Sequence, residues 1–179
     1  TAARTDRIDI HQHGPKLQRE LARLATDEAL HREQRRTLLR FISDARVGRL
    51  PKRRGSTRRM SEARCLKLIY TLRRFAVAIR VPFEEITVEL MQEFILGIEH
   101  GSVGKLSAIG ETGAYEPDTI LDFKKIIRRF YGWLLGDRSA RYEDLTGWFD
   151  LREVRPELRT ISLEQAQSLA RAIGTPQGQ

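Results

Sequence analysis

The side chains whose types could support catalysis or metal binding are few: Tyr70, Tyr131 and Tyr142, the single Cys65, the pair His11 and His13, and the adjacent carboxylates Glu84 and Glu85. A thiol works as a nucleophile or ligand only when its thiolate is favoured, and Cys65 sits in an apolar helical stripe that gives no such help. His11 and His13 have no further ligand types near them in sequence, so a polar N-terminus is the reading, not a metal site. Glu84, Glu85 and Asp137 fall at helix boundaries, where carboxylates serve as solvated or capping groups. The stretch GSVGKLS, from Gly101, invites comparison with a phosphate-binding loop. That loop needs a glycine where Glu99 stands and a hydroxyl where Leu106 stands, and it follows a strand. Here the stretch follows a helical pattern and reads as a glycine-rich connector. Tyr131 and Trp133 lie in RRFYGWLL at helical spacing and read as core aromatics. There is no G-x-S-x-G elbow, and no acid, base and nucleophile set emerges.

Charge is the stronger signal. Between Arg46 and Arg74 there are eleven Lys or Arg and one acid, Glu62, while the whole chain carries +8. The positive charge is therefore one segment and not a general background, which points to a polyanionic partner. Within it, RLPKRRGSTRRMSEAR holds Lys52, Arg53, Arg54, Arg58 and Arg59, interleaved with Ser56 and Thr57. Arginines supply charge and hydroxyls supply hydrogen bonds to phosphate. A second basic group, Lys124, Lys125, Arg128 and Arg129, flanks an apolar helical stripe. With Arg64 and Lys67 on the helix after the loop, these are the candidate nucleic-acid contacts. Lys52, Arg53, Arg54, Arg58 and Arg59 are assigned to phosphates with Ser56 and Thr57 assisting, and Arg64, Lys67, Lys125 and Arg129 to the groove side.

The elements that must position these residues are helical. At 179 residues and 40% apolar, the chain can bury a real core. No apolar run reaches the roughly 18 residues of a membrane span, no secretory h-region opens the chain, and one cysteine excludes an internal disulfide. Pro15 suits the start of a short helix bearing Leu17, Leu21 and Leu24. Leu30, Leu38, Phe41, Ile42 and Ala45 follow the helical period, and Gly48 stops that helix. Ser61 caps the next, whose stripe is Cys65, Leu66, Ile69, Leu72, Ala76 and Ile79. Thr87 opens a helix with Leu90, Met91, Phe94, Ile95 and Ile98 inward. Pro117 opens another with Ile120, Phe123, Ile127, Phe130 and Leu134, ended by Gly136. Leu145 to Pro156 reads as irregular or extended. Ser162 to Gln165 is a capping box before a last short helix, whose Leu163, Ala166, Leu169 and Ala170 lack a partner in this sequence.

The order FISDARVG, basic loop, LKLIYTLRRFAVAI, PFEEITVELMQEFI, PDTILDFKKIIRRFYGWLL, GWFDLREVRPEL and ISLEQAQSLARA resembles the N-terminal core-binding domain of tyrosine recombinases, the phage-integrase and Xer class, in its archaeal-type form. The resemblance runs from about Thr26 to Ile173. It implies an all-α fold, a compact four- to five-helix SAM-like bundle with an extended C-terminal exit. It implies an extension over 1–25, a core-binding domain over 26–136, a linker over 137–160 and the start of a catalytic domain over 161–179. The partners implied are double-stranded DNA, a C-terminal catalytic domain beyond Gln179 and, in the full-length parent, other recombinase protomers on DNA. No cofactor, metal or membrane enters, and the place of action is the cytoplasm, at the nucleoid. Tyr131 and Tyr142 fall within the DNA-binding half, so neither is expected to be the nucleophile, and this chain alone is expected to bind DNA without cutting it. The alternative from another class is a helical module that binds RNA or protein and has no part in recombination.

Overall fold

The structure, a computed structural model, describes residues 12–51, 59–106, 112–152 and 167–168. The described chain is all-α. Its helices are α1 (His13–Ala25), α2 (Arg32–Val47), α3 (Glu62–Ile79), α4 (Val88–Glu99), α5 (Pro117–Tyr131) and α6 (Ala140–Thr146). A 3₁₀ turn, Phe83–Glu85, precedes α4, and a π-helical turn, Gly132–Gly136, extends α5 to the predicted stop. The glycine-rich connector is pinched by a two-residue antiparallel pair, β1 (Lys105–Leu106) and β2 (Thr112–Gly113).

The local signals act as expected. Ser61 Oγ accepts from the Arg64 amide at 3.3 Å, and Thr87 Oγ1 accepts from the Leu90 amide at 3.3 Å, each satisfying an amide that has no intrahelical acceptor. Gly48 takes φ 82° and closes α2 with its own N–H on the Asp44 carbonyl, a left-handed cap that suits glycine. At the end of α3 the same job falls to Arg80, at φ 55°, where a Cβ carries a steric cost.

The predicted stripes of α2, α3, α4 and α5 converge on one core. Phe41, Phe75, Phe83, Phe130 and Tyr131 are fully buried. Phe41 meets Phe130 edge-on at 5.1 Å, and Phe75 meets Phe94 at 4.8 Å, spacings that aromatic pairs prefer. The core reaches beyond 26–136 on both sides. Leu17 and Leu24 of α1 are buried in it, as are Tyr142, Leu145 and Phe149. His13 is half-buried at the start of α1, not part of a loose polar terminus. Within the stretch read as a linker over 137–160, residues Ala140–Thr146 form the helix α6. Ser139 caps that helix, accepting from the Tyr142 amide at 3.2 Å. Its stripe of Tyr142, Leu145 and Thr146 is too short to show a period against Arg141, Glu143 and Asp144. The last predicted helix, with Leu163, Ala166, Leu169 and Ala170, lies outside the described residues, apart from Gln167 and Ser168, which are helical.

α1 and α3 run parallel. Gly14 lies beside Glu62, Glu20 hydrogen-bonds Tyr70, and Asp27 pairs with Arg73 at 2.5 Å. α2 runs antiparallel to both, because Gln34 reaches Ala76 while Met60 donates to the Ala45 carbonyl at 3.1 Å. Gln34 is the unexpected core member. It is buried, and its Nε2 donates to the Ala76 and Val81 carbonyls at 3.1 and 2.6 Å. Its Oε1 accepts from the His31 amide at 3.0 Å. One amide thus closes the start of α2 and the end of α3 together.

Candidate nucleic-acid interface

The basic loop is anchored where it leaves and where it returns. Arg49 N–H donates to the Asp44 carbonyl at 2.8 Å, and Met60 N–H to the Ala45 carbonyl at 3.1 Å. Both ends therefore meet the last turn of α2, beside the first turn of α3. Arg46, Arg49, Arg59 and Arg64 are all exposed at this end of the bundle. Lys52, Arg53, Arg54, Ser56, Thr57 and Arg58 lie outside the described residues.

On α3, Arg64 and Lys67 are exposed and lie three residues apart, so they share a helix face. Lys67 Nζ forms an ion pair with Asp122 of α5, which fixes this face against α5. Lys125 and Arg129 stand three and seven residues beyond Asp122, on the same side of α5. Lys125 is half-buried and Arg129 exposed. Of the set assigned to the groove side, the structure holds Lys67 of α3 against α5 at Asp122; Arg64 shares Lys67's helix face, and Lys125 and Arg129 share Asp122's. The structure also adds an acid, Asp122, that partly neutralises Lys67.

Lys124 and Arg128 go elsewhere. Lys124 Nζ pairs with Glu99 of α4 at 2.6 Å, with the lysine side chain largely covered. Arg128 Nε donates to the Tyr142 hydroxyl of α6 at 3.0 Å, and its guanidinium lies 5.9 Å from that ring. One residue of difference rotates a side chain by about 100° around a helix, and here it separates two basic residues on the α3 side from two that bind α5 to α4 and α6. The sequence grouped all four. Lys124 and Arg128 thus also hold α5 to α4 and α6.

The aromatic residues serve the fold. The Tyr131 hydroxyl is buried and donates to the Phe83 carbonyl at 3.2 Å. Burial, with the Glu84 charge adding to it, pushes that phenol well above its ordinary pKa, so it stays protonated. Burial likewise raises the Cys65 thiol. Trp133 packs on Phe41 and donates its indole N–H to Asp44 at 3.0 Å, and Arg40 lies over its ring at 4.9 Å. Among the described residues, no three His, Cys, Asp or Glu side chains converge to hold a metal ion, and no helix is long and apolar enough to cross a membrane.

Sequence reasoning passed over the exposed arginines of α2, namely Arg32, Arg36 and Arg40, although their spacing of four marks them as one row. It counted Arg46 and Arg49 in the basic segment without assigning them contacts; both are exposed and extend the basic end of the bundle. No protein-family model, curated protein or solved structure matches this chain.

Proposed function

We propose that this chain is the DNA-binding half of a site-specific tyrosine recombinase or integrase, holding duplex DNA on the α3–α5 side and through the basic loop, and cutting nothing by itself. The observation that supports this most is Arg64 and Lys67 on one exposed face of α3, held against α5 at Asp122, with Arg46, Arg49 and Arg59 exposed where the basic loop leaves α2 and returns to α3. Guanidinium and ammonium groups spread over two helices and a loop suit a backbone with regularly spaced phosphates. Phosphate contacts of this kind give affinity and salt dependence, and contacts to base edges would give site choice. Recombination itself belongs to the resemblance and is proposed on that ground alone.

The reading is tested by fluorescence anisotropy on a labelled duplex across a salt series, with duplex RNA and single-stranded DNA as comparators. The expected result is preference for duplex DNA with log Kobs falling linearly in log salt. Preference for RNA would favour the RNA-binding module. Binding to none of the three would remove the nucleic-acid reading altogether.

A further inference from the structure

A second charged surface lies apart from the α3–α5 face. α2 exposes Arg32, Arg36 and Arg40, and none has a carboxylate partner among the described residues. The stretch from Phe83 to Glu99 has the opposite character, with five acids and no Lys or Arg. Of these, Glu85, Glu89 and Glu93 are exposed, and none forms an ion pair among the described residues. Glu89 and Glu93 stand four apart on α4, as Arg32, Arg36 and Arg40 do on α2, while Glu85 lies in the 3₁₀ turn before α4. Each row has an apolar exposed residue near its end, Val47 on α2 (50% exposed) and Leu96 on α4 (51% exposed).

We propose that the α2 row of one copy docks on the α4 row of a second copy. Aligned in parallel, Arg36 meets Glu89 and Arg40 meets Glu93, while Leu96 falls beside Ser43. An apolar contact flanked by complementary charge is the usual anatomy of a modest interface. Arg40 is already steadied over Trp133, so less side-chain freedom is lost when it pairs. The two surfaces differ, so the contact is heterologous and leaves one free row at each end of a growing assembly. The chain's net charge of +8 opposes this at long range. At about 0.1 M salt that repulsion is screened beyond roughly 10 Å, and matched charges in contact decide the outcome. None of these residues belongs to the Arg64, Lys67, Lys125 and Arg129 set, so self-association and DNA binding stand or fall separately.

The test is sedimentation velocity of the chain without DNA, in low and high salt. Wild type is expected to self-associate at low salt and to dissociate as salt rises. Arg36→Glu/Arg40→Glu alone, and Glu89→Arg/Glu93→Arg alone, are each expected to weaken association by at least about tenfold, through like-charge contact. Mixing the two variants, or combining all four substitutions in one chain, re-creates opposite rows and is expected to restore it. Leu96→Ser, which alters no charge, is expected to weaken association while leaving its salt dependence in place. A wild type that stays monomeric at low salt overturns the proposal. So does association that survives both charge reversals, or failure of the mixture to associate when both variants retain wild-type melting curves.

Discussion

Lys124 Nζ lies 2.6 Å from Glu99 Oε1, joining α5 to α4 on the side away from Lys67. Arg128, held to Tyr142, likewise joins α5 to α6. Lys124→Ala and Arg128→Ala are expected to lower the melting temperature slightly, by about 1 kcal/mol of stability each. They should leave the salt slope of duplex binding unchanged. Arg129→Ala should reduce that slope by about one unit. Thermal melts and salt-series binding on the same variants check both halves.

Asp122 is the acid that stands within the proposed DNA face, paired with Lys67. Removing its charge takes away repulsion toward phosphate and releases Lys67. Asp122→Asn is therefore expected to tighten duplex binding severalfold, at a stability cost below about 1 kcal/mol because the pair is partly exposed. Weaker binding by a folded variant would mean that Asp122 positions Lys67 for phosphate.

Gln34 satisfies two carbonyls and one amide from a fully buried position. Gln34→Leu keeps much of the volume and strands those groups. The expected loss is about 2–4 kcal/mol, since each buried unsatisfied group costs about 1–3 kcal/mol. Chemical denaturation with an unchanged m-value would measure it.

Arg80 holds a left-handed conformation that glycine adopts without strain. Arg80→Gly is expected to raise stability by about 0.5–1 kcal/mol, as relief of strain outweighs the added freedom of the unfolded chain. A fall in the melting temperature would instead point to a contact made by the Arg80 side chain.

Acid sensitivity has an identifiable source in Asp27. Burial raises its carboxyl, but the hydrogen bond from Arg73, the Ala29 amide and the charges of Arg73 and Arg23 outweigh that and hold it below the ordinary value. A lowered native pKa gives stability that is complete above the unfolded value, near 4, and is lost as pH falls through the native one. Asp27→Asn should therefore cost stability at neutral pH and flatten the acid limb of the stability curve. Parallel acid limbs for the two proteins would contradict this.

Much of the helical framework could be read from the sequence, because its signals are local. The apolar stripes of α2 to α5, the Ser61 and Thr87 caps and Pro117 at the start of α5 each depend on a few neighbouring residues. α6 was missed because its buried face has three members spread among charged residues. Gln34 was missed because its partners are more than forty residues away. The division of Lys124 and Arg128 from Lys125 and Arg129 was equally hidden. It depends on which helix packs against each edge of α5, and periodicity within α5 carries no such information. Of the loop residues, only the framing could be compared: Arg59 is exposed, while Lys52, Arg53, Arg54, Ser56, Thr57 and Arg58 lie outside the described residues.

The most direct measurement of the DNA-binding account is the slope of log Kobs against log salt for duplex binding. It should be taken for the wild type and for a variant with Arg64→Ala and Arg129→Ala. If the α3–α5 side grips phosphates, the variant's slope falls by about two units, one for each arginine removed from a phosphate, while its melting curve stays close to wild type. A folded variant that binds duplex DNA with the wild-type slope would contradict the account.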